Sequence, residues 1–225
     1  MNYTPSTAPR GPLNVMRDLG IVGPLKLRLD YKFANPTGVV TANEARGKFL
    51  GPLSKEGRRN LDVLFSSHLI CKKSITITNR QLYQIAINGF KEMQKGFALY
   101  NISRAKKPRV ITVLAVNNEI FISSSAKGPS YTYALKNSKV LDDLNKCQKS
   151  IFGLTKIDTL HSHLGSCGEI FAAHQFLEVH NSDMMDLKDQ KNSRIITVGW
   201  MQNWKIGILP PCGVSVPQKC RQPPF

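Results

Sequence analysis

Acidic side chains are scarce in this chain: 15 Asp and Glu face 31 Lys and Arg, a formal charge of +16 over 225 residues. Long apolar runs are lacking as well. None approaches the roughly 18 residues that span a bilayer, so no membrane segment is expected. Residues 1–20 hold Pro5, Pro9 and Pro12 but no apolar stretch of the secretory kind, while Arg10 and Arg17 leave a mitochondrial presequence open. Disulfides are not expected. Five cysteines at irregular spacing leave one over from any pairing, and without a secretory leader they read as reduced thiols of the cytoplasm or nucleus, available to a metal.

What remains is a foldable chain. Hydrophobic residues make up 41 %, enough for a core, and the length suits one large domain or a compact domain with an extension. The excess charge is uneven: residues 1–110 carry 19 Lys and Arg against 6 Asp and Glu, the remainder 12 against 9. Such a surface concentrates polyanions and steers them inward, which makes nucleic acid the expected partner. Charge kept for solubility, or an acidic protein partner, is the alternative.

Gly11-Pro12, Gly23-Pro24, Asn35-Pro36 and Gly51-Pro52 punctuate residues 1–60, which read as an irregular basic arm. Within it, residues 25–33 alternate apolar and charged side chains, the pattern of a half-exposed edge strand. Residues 61–70 fit a short helix or a strand, and 74–78 are β-branched and extended. Leu82, Ile85, Phe90, Met93 and Phe97 then recur at helical spacing, predicting a helix over about 80–99 capped by Asn79. The following loop crowds Arg104, Lys106, Lys107 and Arg109 together. It could clamp a phosphate backbone or simply join two parts of the chain, and a boundary is placed after residue 108.

Val110–Val116 is apolar at both parities, as a central strand requires, and 119–123 returns from an Asn117-Asn118 turn. Residues 136–152 and 169–180 are expected as helices, and Arg194–Trp200 as another apolar strand. Cys71 and Cys147 read as small core hydrophobes. A sheet layered with helices is the expected solution.

Three cysteines and one acid stand apart. Cys167 precedes a helix, Cys212 follows Pro210-Pro211, Cys220 lies close behind, and Glu169 is two residues from the first. Thiolates suit zinc, and a catalytic zinc takes about three protein ligands and keeps one position for water. Glu169 would then carry that water's proton. Plainer readings stand beside this one. Ser166 and Glu169 fit a capping box, and a structural zinc could draw a fourth ligand from His161, His163 or His174. His161 and His163 also fit a pocket mouth, while Trp200, Trp204, Tyr131 and Tyr133 suit either base stacking or core packing.

Cys167-Gly168-Glu169, followed by Pro211-Cys212-Gly213 and Cys220-Arg221-Gln222, resembles the two motifs of the cytidine deaminase-like superfamily. The resemblance covers 109–225, with a longer interval between Cys212 and Cys220 than the family has. It implies zinc held by Cys167, Cys212 and Cys220, Glu169 as proton carrier, and hydrolytic deamination of cytosine, or less readily adenine, in a nucleoside or single-stranded nucleic acid. A decayed copy that only binds nucleic acid is the alternative. The implied fold is α/β: a three-layer α-β-α mixed sheet over 109–225, ending before the family's last strands and helix, behind a basic, partly irregular region, 1–108. Cytoplasm or nucleus is the expected location, and no oligomeric state follows.

Overall fold

The computed structural model describes residues 19, 21, 24–30, 63–71, 77–100, 102–127, 140, 143, 146, 166–201 and 204–210. Its elements are β1 (Arg28–Asp30), β2 (Leu64–Ile70), α1 (Asn79–Leu99), a 3-10 turn (Arg104–Lys106), β3 (Val110–Val116), β4 (Glu119–Ser124), α2 (Gly168–His180), α3 (Met184–Lys188), β5 (Arg194–Trp200) and β6 (Ile206–Ile208). The strands form one six-stranded sheet in the order β1-β2-β4-β3-β5-β6. Strands from both sides of residue 108 are hydrogen-bonded into it.

The β3–β4 hairpin is the middle of the sheet because both strands are apolar on both faces. Ile111, Val113, Ala115, Ile120 and Ile122 join one core with Val198 and α1, while Leu114, Val116 and Phe121 join a second with α2 and α3. Side chains alternate across a strand, so the unbroken run Val110–Val116 supplies both cores at once. Asn117 closes the hairpin at φ 53°, a left-handed conformation that asparagine tolerates. The result is a small three-layer α/β/α domain.

The expectation of a mixed sheet is corrected: every pairing among the described strands is antiparallel. The physical reason is a crossover. α2 runs back past the sheet between β4 and β5, so those two strands point the same way. They flank β3 on either side, however, and each meets it antiparallel.

α1 carries its apolar stripe on Leu82, Ile85, Ala86, Phe90, Met93 and Phe97. Its cap is Thr78 rather than Asn79. The Thr78 hydroxyl accepts from the Gln81 amide at 3.2 Å, and Gln81 Oε1 accepts from the Thr78 amide at 2.9 Å, a reciprocal capping box. Gly96 lets α1 reach the sheet, since a Cβ there would stand 2.6 Å from the ring of Phe65. Leu25, Leu27 and Leu29 are buried, as the alternation predicts, but the strand expected over 25–33 is Arg28–Asp30 where it is described, and Lys26 before it takes a left-handed φ of 58°. Glu92 of α1 holds this segment in place: its two carboxylate oxygens accept from the amides of Leu25 and Leu27, each at 2.8 Å. Among the described residues these backbone donors have no strand partner, and a charged acceptor satisfies them.

Residues 61–70 resolve to a strand where they are described, Leu64–Ile70. The polar stretch after α2 contains the short helix α3, which its composition did not suggest. Asp183 accepts from the Asp186 amide at 3.1 Å and Asp186 accepts from the Asp183 amide at 2.9 Å, so two acids start that helix. Of the expected helix at 136–152, Val140, Asp143 and Lys146 are described and helical, and Val140 is buried in the second core. Cys147, Tyr131 and Tyr133 lie outside the described residues.

Candidate functional site

α2 begins in direct contact with the sheet. A Cβ on Gly168 would stand 2.5 Å from Thr112 Oγ1 and 3.1 Å from the Ser123 carbonyl oxygen, so only glycine lets the helix start this close. Cys167 is the N-cap residue, 2 % exposed, and makes no side-chain capping bond. Glu169 does not reach back to close a capping box. Its side chain turns to β5, where Oε1 accepts from the Thr197 hydroxyl at 2.6 Å.

Thr197 and Thr112 are themselves 2.7 Å apart. Each hydroxyl has one proton, and that of Thr197 is committed to Glu169, so Thr112 donates to Thr197. The chain Thr112 to Thr197 to Glu169 therefore has one direction, and it is buried throughout. Among the described residues Glu169 Oε2 has no hydrogen-bond partner.

The histidines divide differently. His161 and His163 lie outside the described residues, as do Cys212 and Cys220. His174 is 7 % exposed on α2, its Nε2 4.0 Å from Glu178 Oε1, a packing role. A separate cluster escaped the sequence reading. His68 of β2 is hydrogen-bonded through Nε2 to one carboxylate oxygen of Glu119 of β4 at 2.6 Å, and Nε2 of His180 at the end of α2 lies 2.9 Å from the other. His68 also stacks on Phe121 at 4.4 Å between centroids. The cluster ties α2 to the sheet, and only pairing of β2 with β4 brings it together.

The cationic loop occupies one end of the sheet. Arg104 and Lys106 form the 3-10 turn, Lys107 Nζ sits 5.4 Å from the centre of the Phe97 ring, and Arg109 leads straight into β3. Register brings further residues to the same end. Val110 pairs with Gly199, so Arg109 adjoins the end of β5, where Trp200, Met201 and the turn to β6 follow. In that turn Met201 donates its amide to the Lys205 carbonyl at 2.9 Å. Beyond β4, Ser125 donates to the Val110 carbonyl at 3.3 Å and Lys127 bridges to Val63.

Lys127 and Lys205 thus join the loop cations, a convergence that sequence spacing did not reveal. The hairpin register alone would have placed Lys127 there. Of the described acids at this end, Glu169 is buried and Asp30 closes β1, three strands from β3 or about 14 Å across the sheet. The opposite end carries Glu119 at the hairpin turn and Glu178, Asp183, Asp186 and Asp189 at and beyond the end of α2, together with the cations Arg80, Lys191 and Arg194.

Trp200 is 43 % exposed and meets Phe90 of α1 edge-on at 5.5 Å. Trp204 is 82 % exposed.

Comparison with protein-family models, curated proteins and solved structures gives no match. What the fold defines is therefore a class of architecture, a three-layer α/β/α domain on an antiparallel sheet. The deaminase resemblance is corrected by two findings: no family, curated protein or structure supports it, and among the described residues no group of three His, Cys, Asp or Glu could hold a metal. Geometry gives the reason at the residues in view. Cys167 is sealed at the helix start, the space beside Gly168 is filled by Thr112, and Glu169 turns to a threonine instead of towards a second ligand. The zinc, the hydrolytic deamination of cytosine or adenine, the assignment as a hydrolase and the alternative of a decayed deaminase are withdrawn with it. Among the described residues no helix is long and apolar enough to cross a membrane.

Proposed function

We propose that this protein is a nucleic-acid-binding module of the cytoplasm or nucleus whose contact surface is the cationic end of the sheet, centred on Arg104, Lys106, Lys107 and Arg109. The observation that carries this is the convergence of cations from three separate connections at one end of the sheet, where few of the described acids lie. Cations from the loop before β3, from the exit of β4 and from the β5–β6 turn gather at one end, whereas at the other end the acids around α3 are offset by Arg80, Lys191 and Arg194. A polyanion is drawn to such an end and held through its phosphates, which set affinity without reading sequence. The start of α2 points the same way and adds the positive end of a helix dipole.

The test is binding of a labelled oligonucleotide to the full chain across a salt series. The expected result is a linear fall of log affinity with log salt. Replacing Arg104, Lys106, Lys107 and Arg109 together by Gln should flatten the slope by roughly 3, at about 0.7 to 0.9 for each phosphate no longer neutralised. Affinity that ignores both salt and the fourfold variant would overturn the proposal.

A further inference from the structure

We infer that the cationic end takes single-stranded rather than duplex nucleic acid, with an unpaired base stacked on the indole of Trp204. The inference rests on the proposed function and adds the substrate class.

Trp204 is 82 % exposed, although tryptophan is among the side chains with most to gain from burial. It is also held in a backbone conformation that disfavours it, at φ 59°. Among the described residues three other non-glycine positions share positive φ: Lys26, Asn117 and Asn181. The two asparagines close a hairpin and a helix, where this conformation is ordinary. A bulky aromatic there is a local strain, maintained by the tight β5–β6 turn in which the Trp204 amide donates to the Met201 carbonyl at 3.0 Å.

The turn therefore fixes a large flat ring in solvent one residue from Lys205 and beside the strand end that adjoins Arg109. Trp200 serves a different purpose. Its ring rests edge-on against Phe90, two helical turns before the Phe97 that Lys107 covers, so the two contacts fall about 10 Å apart along the axis of α1. That places the end of β5, which leads into the aromatic turn, and the cationic loop on the α1 side of the sheet.

An exposed aromatic beside phosphate-binding cations is the arrangement that grips an unpaired strand, because every base has a face to stack and the backbone follows the charge. A duplex hides its base faces and would meet only the charge. Trp204 therefore distinguishes the two forms, while the loop cations do not.

The experiment compares the wild-type chain with Trp204→Ala and Trp204→Phe. Each is titrated with an oligothymidylate of about 15 nucleotides and with a blunt duplex of the same length, at matched salt. The expected result is tighter binding of the single strand by wild type, a loss of roughly tenfold or more in Trp204→Ala, recovery of most of that loss in Trp204→Phe, and unchanged duplex affinity throughout. The melting temperature should be the same in all three, since the ring is exposed. Duplex bound as tightly as single strand, or single-strand affinity unmoved in Trp204→Ala, would overturn the inference while leaving the proposed function standing. Binding of neither probe by wild type would overturn both.

Discussion

Cys71 leaves β2 at 3 % exposure, packed in the α1 core, with its amide bonded to the Asn118 carbonyl at 2.7 Å. Burial raises its thiol pKa above the ordinary 9.0, because the charged thiolate loses its water. The sign of the consequence is fixed by proton counting. Above pH 9.0 the unfolded chain gives up a proton that the folded chain keeps, so the stability contribution is full below that value and falls as pH rises past it. We expect the denaturant midpoint of wild type to drop more between pH 8 and pH 10 than that of Cys71→Ala, measured by chemical unfolding. Equal drops would refute a buried titrating thiol. Cys71 was legible as a core residue from its strand-like setting. Cys167 was not: its neighbours Gly168 and Glu169 suggest an open site, and only the depth of the helix start shows it sealed.

At the scale of elements, α2 is the informative case. Nearly all of its residues from Gly168 to Leu177 are buried, so its amphipathic signal is faint and its limits come from its ends. Asn181 closes it in a left-handed conformation, φ 47° and ψ 43°. Its start is fixed by contact, since Gly168 lies against Thr112 and the Ser123 carbonyl. A methyl at Gly168 has no room, and the carbonyl is backbone that cannot swing aside. Gly168→Ala is therefore expected to cost about 1–3 kcal/mol of stability. Truncating the nearer obstacle in the double variant Thr112→Ala/Gly168→Ala should return part of that loss, as read from denaturant midpoints. Strictly additive losses would argue against this contact. The sequence marked the helix and its glycine but assigned the glycine to a ligand's approach, because a strand 56 positions earlier in the chain (Thr112 to Gly168) is invisible to local spacing.

For the whole molecule, the position of a charge should matter more than the total. β3 alone spans about 23 Å, some two screening lengths at 0.1 M salt, so the acid end is barely felt at the cationic end. Glu178→Gln and Arg104→Gln each change the net charge by one, in opposite directions. The first should leave oligonucleotide affinity within about twofold, whereas the second should lower it and reduce the salt slope by about 0.7 to 0.9. If Glu178→Gln tightened binding as much as Arg104→Gln weakened it, net charge rather than a located surface would be responsible.

The sequence by itself determined what depends on near neighbours: the central hairpin at Val110–Val116 and 119–124, the stripe of α1, the alternation of Leu25, Leu27 and Leu29, and the surplus of cations. Periodicity encodes these because strand and helix geometry repeat every two and 3.6 residues. Tertiary structure alone decided which residues share an end or a depth. Register across β4-β3-β5 gathered Arg109, Lys127 and Lys205, sealed Cys167 and Glu169 against the threonines, and left Trp204 in solvent. Pairing register is set by the burial of two cores at once, a property of the assembled sheet that no short stretch of chain contains.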